Sequence, residues 1–144
     1  MTPVVEDVIA FYRMFASFER EEICCGSVTP AQCVVLQTLT QGEWDVSSLA
    51  SHSRVTKGAM TRLVDGLEAR HWVRRERTDD DARRVLVTLT PEGRREAKRL
   101  AKLTERSVGA VLEEIPERER SQVVRSIRLL RIAAEHTRSQ LDCC

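Results

Sequence analysis

Apolar residues recur at helical spacing over three long stretches of the chain. Residues 4–22 place apolar side chains three or four positions apart, with acidic side chains on the other side, which predicts an amphipathic helix. The same period runs from Pro91 to about residue 114 and again after Pro116. Because proline breaks a helix, we expect one helix at the N-terminal end and two separate helices at the C-terminal end.

Three shorter helices are predicted between these stretches, each by its capping residue. Thr29 before Pro30 is a helix cap with proline at the first helical position. Asp45 and Thr56 have side-chain oxygens that can cap the next two helices in the same way. The predicted helices cover about residues 30–39, 46–52 and 57–70. Only a tight connection at residues 53–55 separates the last two helices.

The pattern changes period after the last of these helices. Residues 72–77 and 84–89 alternate or carry β-branched side chains, and three consecutive acids at positions 79–81 separate them, which predicts a β-hairpin with a charged tip. A two-stranded hairpin is not stable alone, so this one must pack on the helices. The predicted fold is therefore mainly α, and the middle of the chain is a winged helix-turn-helix.

Composition agrees with one mostly helical domain. The 144 residues are 42% apolar and only 4% aromatic, with six Gly and four Pro, which argues against a disordered chain and a turn-rich all-β fold. A chain of this length buries about 68–70% of its unfolded surface, so we expect no cofactor or metal to be required for folding. Charged residues interrupt the first apolar stretch, so we expect a cytoplasmic protein with no membrane partner.

Charge is distributed unevenly, although the formal net charge is only +1. Residues 1–53 hold two basic and seven acidic side chains, a net of −5, while residues 54–102 hold fourteen basic and eight acidic ones, a net of +6. Residues 103–144 balance at seven each. A basic middle part is typical of a protein with one face that meets phosphates. A solvated surface of ion pairs would give the same distribution, so the local patterns must decide.

The helix after the tight connection has the residue types that a DNA-reading helix needs. The second helix of a helix-turn-helix enters a major groove ~12 Å wide with its N-terminal half. In this half Gly58 and Ala59 permit close approach, and Thr61 and Arg62 can reach base edges. The alternative is an ordinary surface helix with a few charges. The predicted DNA-contacting residues, including those of the preceding turn and of the hairpin, are Ser53, Arg54, Thr56, Lys57, Thr61, Arg62, Arg83 and Arg84.

The hairpin favours the DNA-binding interpretation. Arg83 and Arg84 follow its acidic turn, and an arginine at a wing tip can enter a narrow minor groove, where negative potential is concentrated. Asp81 can support the wing by orienting such a guanidinium through paired hydrogen bonds. We therefore expect Asp81 to be paired, and Asp79 and Asp80 to face water.

Five ordered pieces of the sequence resemble the MarR family of bacterial transcriptional regulators. The matching pieces are residues 28–36, 49–50, 60–68, 81–83 and 89–93. The resemblance implies a homodimer that binds a pseudo-palindromic operator in double-stranded DNA, usually represses, and is released by a ligand or by thiol chemistry. It places Thr56, Lys57, Thr61 and Arg62 where the family reads the major groove, and Arg83 on the wing arginine of the family.

The resemblance also implies a division of the chain. Residues 1–27 would form a dimerisation helix and a junction, residues 28–90 the winged helix-turn-helix, and residues 91–144 the remaining dimerisation helices. Two-fold symmetry would set the two reading helices about one DNA turn apart, ~34 Å. Two positions depart from the family pattern: His71 stands where glycine is usual, and Cys33 stands where a bulky apolar residue is common.

Five cysteines raise the question of how DNA binding is controlled. They are Cys24, Cys25, Cys33, Cys143 and Cys144. An odd number in a cytoplasmic protein does not predict a disulfide framework, but two or three neighbouring thiolates suit a soft metal ion or a metalloid such as arsenite. We therefore predict metalloid sensing through Cys24 and Cys25, with Cys33 as an optional third ligand. The terminal pair, Cys143 and Cys144, is less favoured.

Other interpretations of control stay open. A redox switch through the same thiols competes with the metalloid, since a helix N-terminus activates a nearby thiol. Cys33 is otherwise a small buried apolar residue, and the terminal pair is incidental. An aromatic-acid inducer is a third alternative, which the family resemblance raises. Zinc sensing is disfavoured because the histidines at positions 52, 71 and 136 form no ligand pair at helical spacing.

Two other classes of protein compete with a DNA-binding regulator. An enzyme is disfavoured because the sequence has no glycine-rich phosphate loop, no nucleophile elbow and no paired carboxylates in a recognisable context. A helical protein-interaction module with an incidental basic surface is the other class. Steep salt dependence of binding, with a preference for one operator sequence, would distinguish a regulator from such a module.

Overall fold

The computed structural model describes residues 1–20, 28–78 and 84–137. These residues form six helices and three strands, in the order α1 (Pro3–Arg20), α2 (Pro30–Leu39), β1 (Trp44–Asp45), α3 (Val46–Ser53), α4 (Lys57–Ala69), β2 (Val73–Arg77), β3 (Val85–Leu89), α5 (Pro91–Glu113) and α6 (Glu117–Thr137). The predicted mainly α winged helix-turn-helix is confirmed. The last two residues of the predicted first helix, 21 and 22, lie outside the described residues.

The three capping residues of the central helices act as predicted. The side chains of Thr29, Asp45 and Thr56 accept hydrogen bonds from the backbone N–H three residues further along, at 3.2, 2.9 and 3.1 Å. At the start of α2 the cap is reciprocal, because Gln32 Oε1 accepts from the Thr29 N–H at 3.3 Å. The positions at which α2, α3 and α4 begin are therefore set by local sequence.

The three strands form one antiparallel sheet in the order β1-β3-β2. In the hairpin, Val73 pairs with Leu89 and Arg77 pairs with Val85. The short strand β1 pairs with the other edge of β3, where Trp44 lies opposite Val87. The sequence pattern did not predict β1, because two residues are too short to show a strand period.

The joint between the hairpin and α5 is fixed by close backbone contacts. The Thr90 hydroxyl donates to the His71 carbonyl at 2.6 Å and accepts from the Gly93 N–H at 3.0 Å, while the Thr90 N–H donates to the Trp72 carbonyl at 3.0 Å. A Cβ atom at Gly93 would lie 1.8 Å from the Trp72 carbonyl oxygen, so this position requires glycine. His71, which stands where glycine is usual in the family that the sequence resembles, adopts the left-handed conformation with φ 59°.

The hydrophobic core lies in the first of two compact units, Met1–Glu105. Its side chains come from α2, α3, α4, the sheet and the first turns of α5. The largest fully buried ones are Leu36, Leu49, Met60, Leu67, Leu100, Val35, Val64, Val73 and Val87. This core supports α4 from one side, and it leaves the opposite side of α4 in solvent.

The second compact unit, Arg106–Cys144, contains the end of α5 and all of α6. The Arg120 side chain donates to the carbonyl of Ile115 at 2.7 Å and to that of Glu113 at 2.9 Å, which satisfies carbonyls at the end of α5. Within the described residues α6 buries none of its side chains, and Leu129 and Leu130 are each 61% exposed.

The first helix, α1, also exposes large apolar side chains. Several large apolar side chains of α1 are exposed, namely Val4, Val5, Val8, Phe11, Tyr12 and Met14. Apolar faces of this size on single helices are typical of surfaces that another chain covers. In the described ranges, no helix combines the length and the apolar character needed to cross a membrane.

Candidate nucleic-acid interface

The two sides of α4 differ completely in burial. Met60, Val64 and Leu67 are fully buried, while Lys57 and Arg62 are exposed. This division follows the 3.6-residue period, so the apolar stripe fixes which side chains face outward. The face of α4 that the sequence assigned to DNA contact is therefore free of packing within the first unit.

A three-residue turn between α3 and α4 sets the direction of α4. Arg54 adopts the left-handed conformation, with φ 60° and ψ 39°, and its N–H donates to the Ser51 carbonyl at 3.3 Å. The Val55 N–H donates to the Ala50 carbonyl at 3.1 Å, which completes a Schellman-type end to α3. The sequence predicted a tight connection here, but it gave no sign of left-handed backbone, because Arg rather than Gly occupies the position.

Two of the predicted contact residues use their hydroxyls inside the fold. Thr56 Oγ1 accepts the Ala59 N–H as the helix cap, and the Thr61 hydroxyl donates to the Lys57 carbonyl at 2.9 Å. Thr61 can thus offer a methyl group and a hydroxyl acceptor to a partner, but its hydroxyl proton is engaged. The Ser53 Oγ is buried and makes no hydrogen bond among the described residues.

Gly58 has open space around it. A Cβ atom at this position would meet nothing within 4 Å. The internal packing of the protein therefore does not require glycine in the first turn of α4. A partner that approaches the backbone closely would give this glycine a purpose, as the sequence analysis expected.

Arg75 of β2 binds α4 from the side of the hairpin. Its guanidinium forms ion pairs with Asp65 and Glu68 and donates to the Thr61 carbonyl at 3.3 Å. Burial by itself lowers the pKa of Arg75, but the hydrogen bonds to the two carboxylates outweigh it and raise the pKa, so the group stays charged. Sequence reasoning missed this residue. The available signal was the alternation of β2, which turns Arg75 inward beside Val73.

Arg84 reaches the cap of α3 from the other strand of the hairpin. Its guanidinium lies 3.5 Å from the Asp45 carboxylate, and its own side chain is 60% exposed. Hydrogen bonds from the Ser48 N–H and the Ser48 hydroxyl, with Arg84 nearby, hold the pKa of Asp45 below its ordinary value. The same acid thus caps a helix and holds a wing arginine close to α4.

These groups border one open cleft of about 430 Å³ between α3, α4 and the hairpin. The residues lining it are Asp45, Val46, Ser47, Lys57, Thr61, Arg75, Arg84 and Val85. Three of the predicted contact residues, Lys57, Thr61 and Arg84, are therefore brought together, whereas Arg54 and Arg62 lie outside the cleft. Arg75 and Arg84 are paired with carboxylates, whereas Lys57 forms no ion pair among the described residues and adds an unneutralised positive charge to the cleft.

Several predicted site residues lie outside the described part of the chain. Arg83 and Asp81 of the wing tip lie outside the described residues, as do the acids at 79 and 80. The same holds for four of the five cysteines, at positions 24, 25, 143 and 144. The fifth, Cys33, is buried in the core, with 7% of its surface exposed. Among the described residues no group of three His, Cys, Asp or Glu side chains is placed to hold a metal ion.

An exposed basic helix after a three-residue turn, with an antiparallel hairpin bound to its flank, defines a winged helix-turn-helix protein. Comparison with known families agrees with this class. The model of the MarR family matches residues 28–85. Over these residues the chain is similar to the MarR family, and the resemblance seen in the sequence is confirmed.

Individual proteins of known sequence or structure show the same similarity in sequence or in fold. The HTH-type transcriptional repressor MdtR of Bacillus subtilis (strain 168) is 35% identical over 81 residues, which are 56% of this chain and 49% of MdtR. The crystal structure of the YusO protein from B. subtilis matches with a TM-score of 0.71 and 26% identity, over 91% of this chain and 96% of YusO. Wild-type MarR (apo form) from E. coli shares the fold, with a TM-score of 0.76 and 21% identity over 90% of this chain and 98% of that chain.

This chain spans about half the length of the curated relatives that it matches. Both of these relatives are named as transcriptional repressors. Their names agree with the prediction that the protein is not an enzyme.

Proposed function

We propose that this chain is a sequence-specific DNA-binding transcriptional regulator, and that it represses by occupying a pseudo-palindromic operator. The observation that carries the proposal is the outward face of α4, which exposes Lys57, Thr61 and Arg62 while its opposite face is fully buried. A rigid helix that projects basic and hydroxyl side chains fits a major groove. The names of the matched relatives, MdtR and YetL, describe repressors and support the same function.

The proposed contacts divide into positioning and reading. Arg54 and Lys57, at the turn and in the first turn of α4, are suited to phosphates, which fix the register of the helix on DNA. Arg62 is the proposed base-reading residue, because a guanidinium can bind guanine through two hydrogen bonds. Thr61 adds a methyl group that can contact thymine. Thr56 contributes through the helix cap, because its hydroxyl already accepts the Ala59 N–H, and Ser53 contributes through its position at the end of α3.

The hairpin is proposed to enter the neighbouring minor groove. Arg84 supports this role, because it directly precedes β3 at the tip end of the hairpin and its side chain is exposed. Arg83 is assigned to the groove itself, with Asp81 as its orienting partner, on the strength of the sequence alone. The ion pairs of Arg75 with Asp65 and Glu68 hold the hairpin and α4 together, so the two elements would approach DNA as one body.

The regulator is proposed to act as a homodimer. The exposed apolar side chains of α1 and of α6, described above, support this assembly, because water contact with such faces is unfavourable. The division proposed from the sequence accompanies it: residues 1–27 and 91–144 contribute to the dimer, and residues 28–90 bind DNA. A two-fold axis would present two copies of α4 to one side of the duplex.

In vitro selection tests this function without knowledge of the operator. The purified full chain is mixed with a pool of duplexes that contain a random segment, and bound DNA is recovered and amplified over several rounds. We expect one pseudo-palindromic sequence to be enriched, with binding that weakens steeply with salt while preference over scrambled DNA persists. A pool that stays random after selection would contradict the proposal.

For the control of binding we propose thiol chemistry at Cys24 and Cys25, with arsenite or another thiophilic ion as the inducer. The burial of Cys33 in the core that supports α4 favours a link between thiol modification and DNA release, because a modified Cys33 no longer fits that core. Oxidation of the same thiols and binding of an aromatic acid are the competing inducers.

These inducers can be separated by one set of measurements on the selected duplex. Release by arsenite, mercuric ion, peroxide and salicylate is compared between the unmodified chain and the variants Cys24→Ser, Cys25→Ser and Cys33→Ser. We expect arsenite to release the unmodified chain and to fail on Cys24→Ser and Cys25→Ser. Release by salicylate alone would favour an aromatic acid, and release by peroxide alone would favour the redox switch.

A further inference from the structure

A second basic surface lies apart from the predicted DNA-contacting face of α4. Arg74 of β2 and three cations of α5, Arg94, Arg95 and Lys98, border an open cleft of about 500 Å³ together with Leu89 and Pro91. We call these four cations the outer basic face. None of them is among the residues that the sequence analysis assigned to DNA.

The outer basic face keeps most of its charge. Arg74 is paired with Glu76, at 2.8 Å, and also donates to the Thr88 hydroxyl at 3.2 Å. Within the described part of the chain, no carboxylate forms an ion pair with the three cations of α5. Three of its four positive charges are therefore free to meet an anionic partner.

The three α5 cations continue as a stripe along the helix. Gly93, Ala97 and Leu100 face the core, so Arg95 and Lys98 project to the opposite side. Lys102, one turn further, is exposed on the same side. From Arg94 to Lys102 the helix rises ~12 Å, at ~1.5 Å per residue. This extended row of cations suits a polyanion better than a small ligand, which needs an enclosing pocket.

The position of this face relative to α4 follows from the alternation of β2. Arg75 turns toward α4 and binds Asp65 and Glu68, so its neighbour Arg74 points to the opposite side of the hairpin. The hairpin therefore separates α4 from the outer basic face. If α4 occupies a major groove and the hairpin the next minor groove, as proposed above, the flanking duplex would lie on the side of the hairpin away from α4.

We propose that the outer basic face binds the phosphate backbone of the DNA that flanks the operator, beyond the hairpin. The inference rests on the proposed function, since it assumes that α4 and the hairpin occupy the operator. The flanking contact is independent of base sequence, because it is made by long cationic side chains to phosphates. It enlarges the footprint of the regulator and favours a duplex that curves toward α5.

The test compares two lengths of the selected duplex. One contains only the operator core, about two helical turns, and the other carries about one further turn of scrambled sequence on each side. The dissociation constant of the full chain is measured for both over a range of salt concentrations. For the long duplex we expect tighter binding and a salt slope steeper by at least about 2, because each contacted phosphate adds about 0.9 and a dimer has two such faces.

Two triple variants locate the effect. Arg94→Gln, Arg95→Gln and Lys98→Gln together remove the free charges of the outer basic face. The matched control removes the same net charge from exposed positions of the second unit, as Arg106→Gln, Arg118→Gln and Arg125→Gln. We expect the first variant to bind both lengths equally, with unchanged affinity for the short one, and the control to keep its preference for the long duplex. Circular dichroism and sedimentation verify that both variants fold and assemble.

The outcomes are distinguishable from a failure of the proposed function. If selection enriches no sequence, the regulator itself is disproved, and this inference with it. If the short duplex is bound with sequence preference but the long one gains nothing, the flanking contact is absent while the regulator stands. An equal loss of the length preference in both triple variants would assign the effect to net charge and overturn the role of this face.

Discussion

Arg75 and Glu68 are joined by two hydrogen bonds across the boundary between β2 and α4. The Arg75 N–H donates to Glu68 Oε1 at 3.3 Å, and the Arg75 guanidinium donates to Glu68 Oε2. Backbone and side chain of one strand residue are thus bound to one helix carboxylate. Because Arg75 also pairs with Asp65 one turn earlier, the hairpin fixes the rotation of α4 about its own axis.

Replacing Arg75 is expected to weaken both the fold and DNA binding. Arg75→Ala should lower the free energy of unfolding by about 1 kcal/mol, because the ion pairs that it removes are partly exposed. It should also weaken binding to the selected duplex, since α4 and the hairpin lose their fixed relation. Urea unfolding and fluorescence anisotropy measure the two effects. Arg77→Ala, at an exposed end of the same strand, is the control, and equal unfolding energies for the two variants would contradict the prediction.

Gly93 is expected to tolerate no side chain. Gly93→Ala places a methyl group 1.8 Å from the Trp72 carbonyl oxygen, so the backbone must shift, at a cost of roughly 1–3 kcal/mol or more in unfolding free energy. The matched control is Gly109→Ala, also within α5, where a Cβ atom meets nothing within 4 Å. The midpoint temperature of thermal unfolding should fall for Gly93→Ala and rise for Gly109→Ala. A Gly93→Ala protein as stable as the unmodified chain would show that this contact relaxes freely.

Gly58 should separate stability from DNA binding. Gly58→Ala is expected to stabilise the fold by about 0.5–1 kcal/mol, because alanine favours the helix and the site is open. The added methyl group lies in the first turn of the proposed recognition helix, so affinity for the selected duplex should fall. The two quantities are measured on the same preparation. Unchanged affinity would show that DNA does not approach this turn closely.

Arg62 and Lys57 are expected to affect DNA binding in different ways. Arg62→Ala should cost ~1–3 kcal/mol on the selected duplex and much less on scrambled DNA, because a bidentate base contact is lost. Lys57→Ala should weaken both duplexes alike and reduce the salt slope by about 1, because a phosphate contact is lost. Competition binding at several salt concentrations distinguishes these outcomes. Equal losses on both duplexes for Arg62→Ala would remove it from the base-reading role.

Asp45 should make part of the stability depend on pH. Its pKa is lowered in the folded protein, so its stabilising contribution is fully present above the unfolded-state value of about 3.9 and is lost as the pH falls through the lower folded value. Asp45→Ala should therefore destabilise by about 1 kcal/mol at pH 7, and the difference from the unmodified chain should shrink in strong acid. Urea unfolding of Asp45→Ala and of the unmodified chain, at pH 7 and in strong acid, measures this difference in stability.

Asp45→Asn is the control for the pH experiment. Asparagine caps a helix about as well as aspartate, but it carries no charge for Arg84. We expect Asp45→Asn to have nearly the same free energy of unfolding as the unmodified chain at pH 7. Its stability should depend less on acid pH than that of the unmodified chain, because asparagine does not titrate. If Asp45→Ala and Asp45→Asn lose equal stability at pH 7, the cap contributes less than the charge.

Sequence alone predicted the parts of the fold that depend on neighbouring residues. The caps at Thr29, Asp45 and Thr56 were recognisable because each bond closes over three residues. The apolar stripe of α4 was recognisable because helical spacing repeats along one segment. The strand β1 was missed because its two residues are defined only by pairing with β3, some forty positions later.

The candidate interface was likewise predicted only where it depends on residues that are close in sequence. Exposure of Lys57 and Arg62 followed from the period of α4, but the ion pairs of Arg75 join residues of different elements and leave no local pattern. The apolar face of α6 shows the limit most clearly. The helical period after Pro116 predicts an apolar face that includes Ile127 and Leu130, yet both are exposed in the single chain. In the proposed homodimer a second copy would cover this face.

The burial of Cys33 gives the chain a built-in chemical probe. A thiol with 7% of its surface exposed is alkylated only when the packing around it opens, so the alkylation rate reports how often the DNA-binding unit loosens. In a chain whose other cysteines are replaced by serine, that rate can be followed with and without DNA. Slower alkylation in the bound state would show that DNA binding makes the packing around Cys33 more rigid.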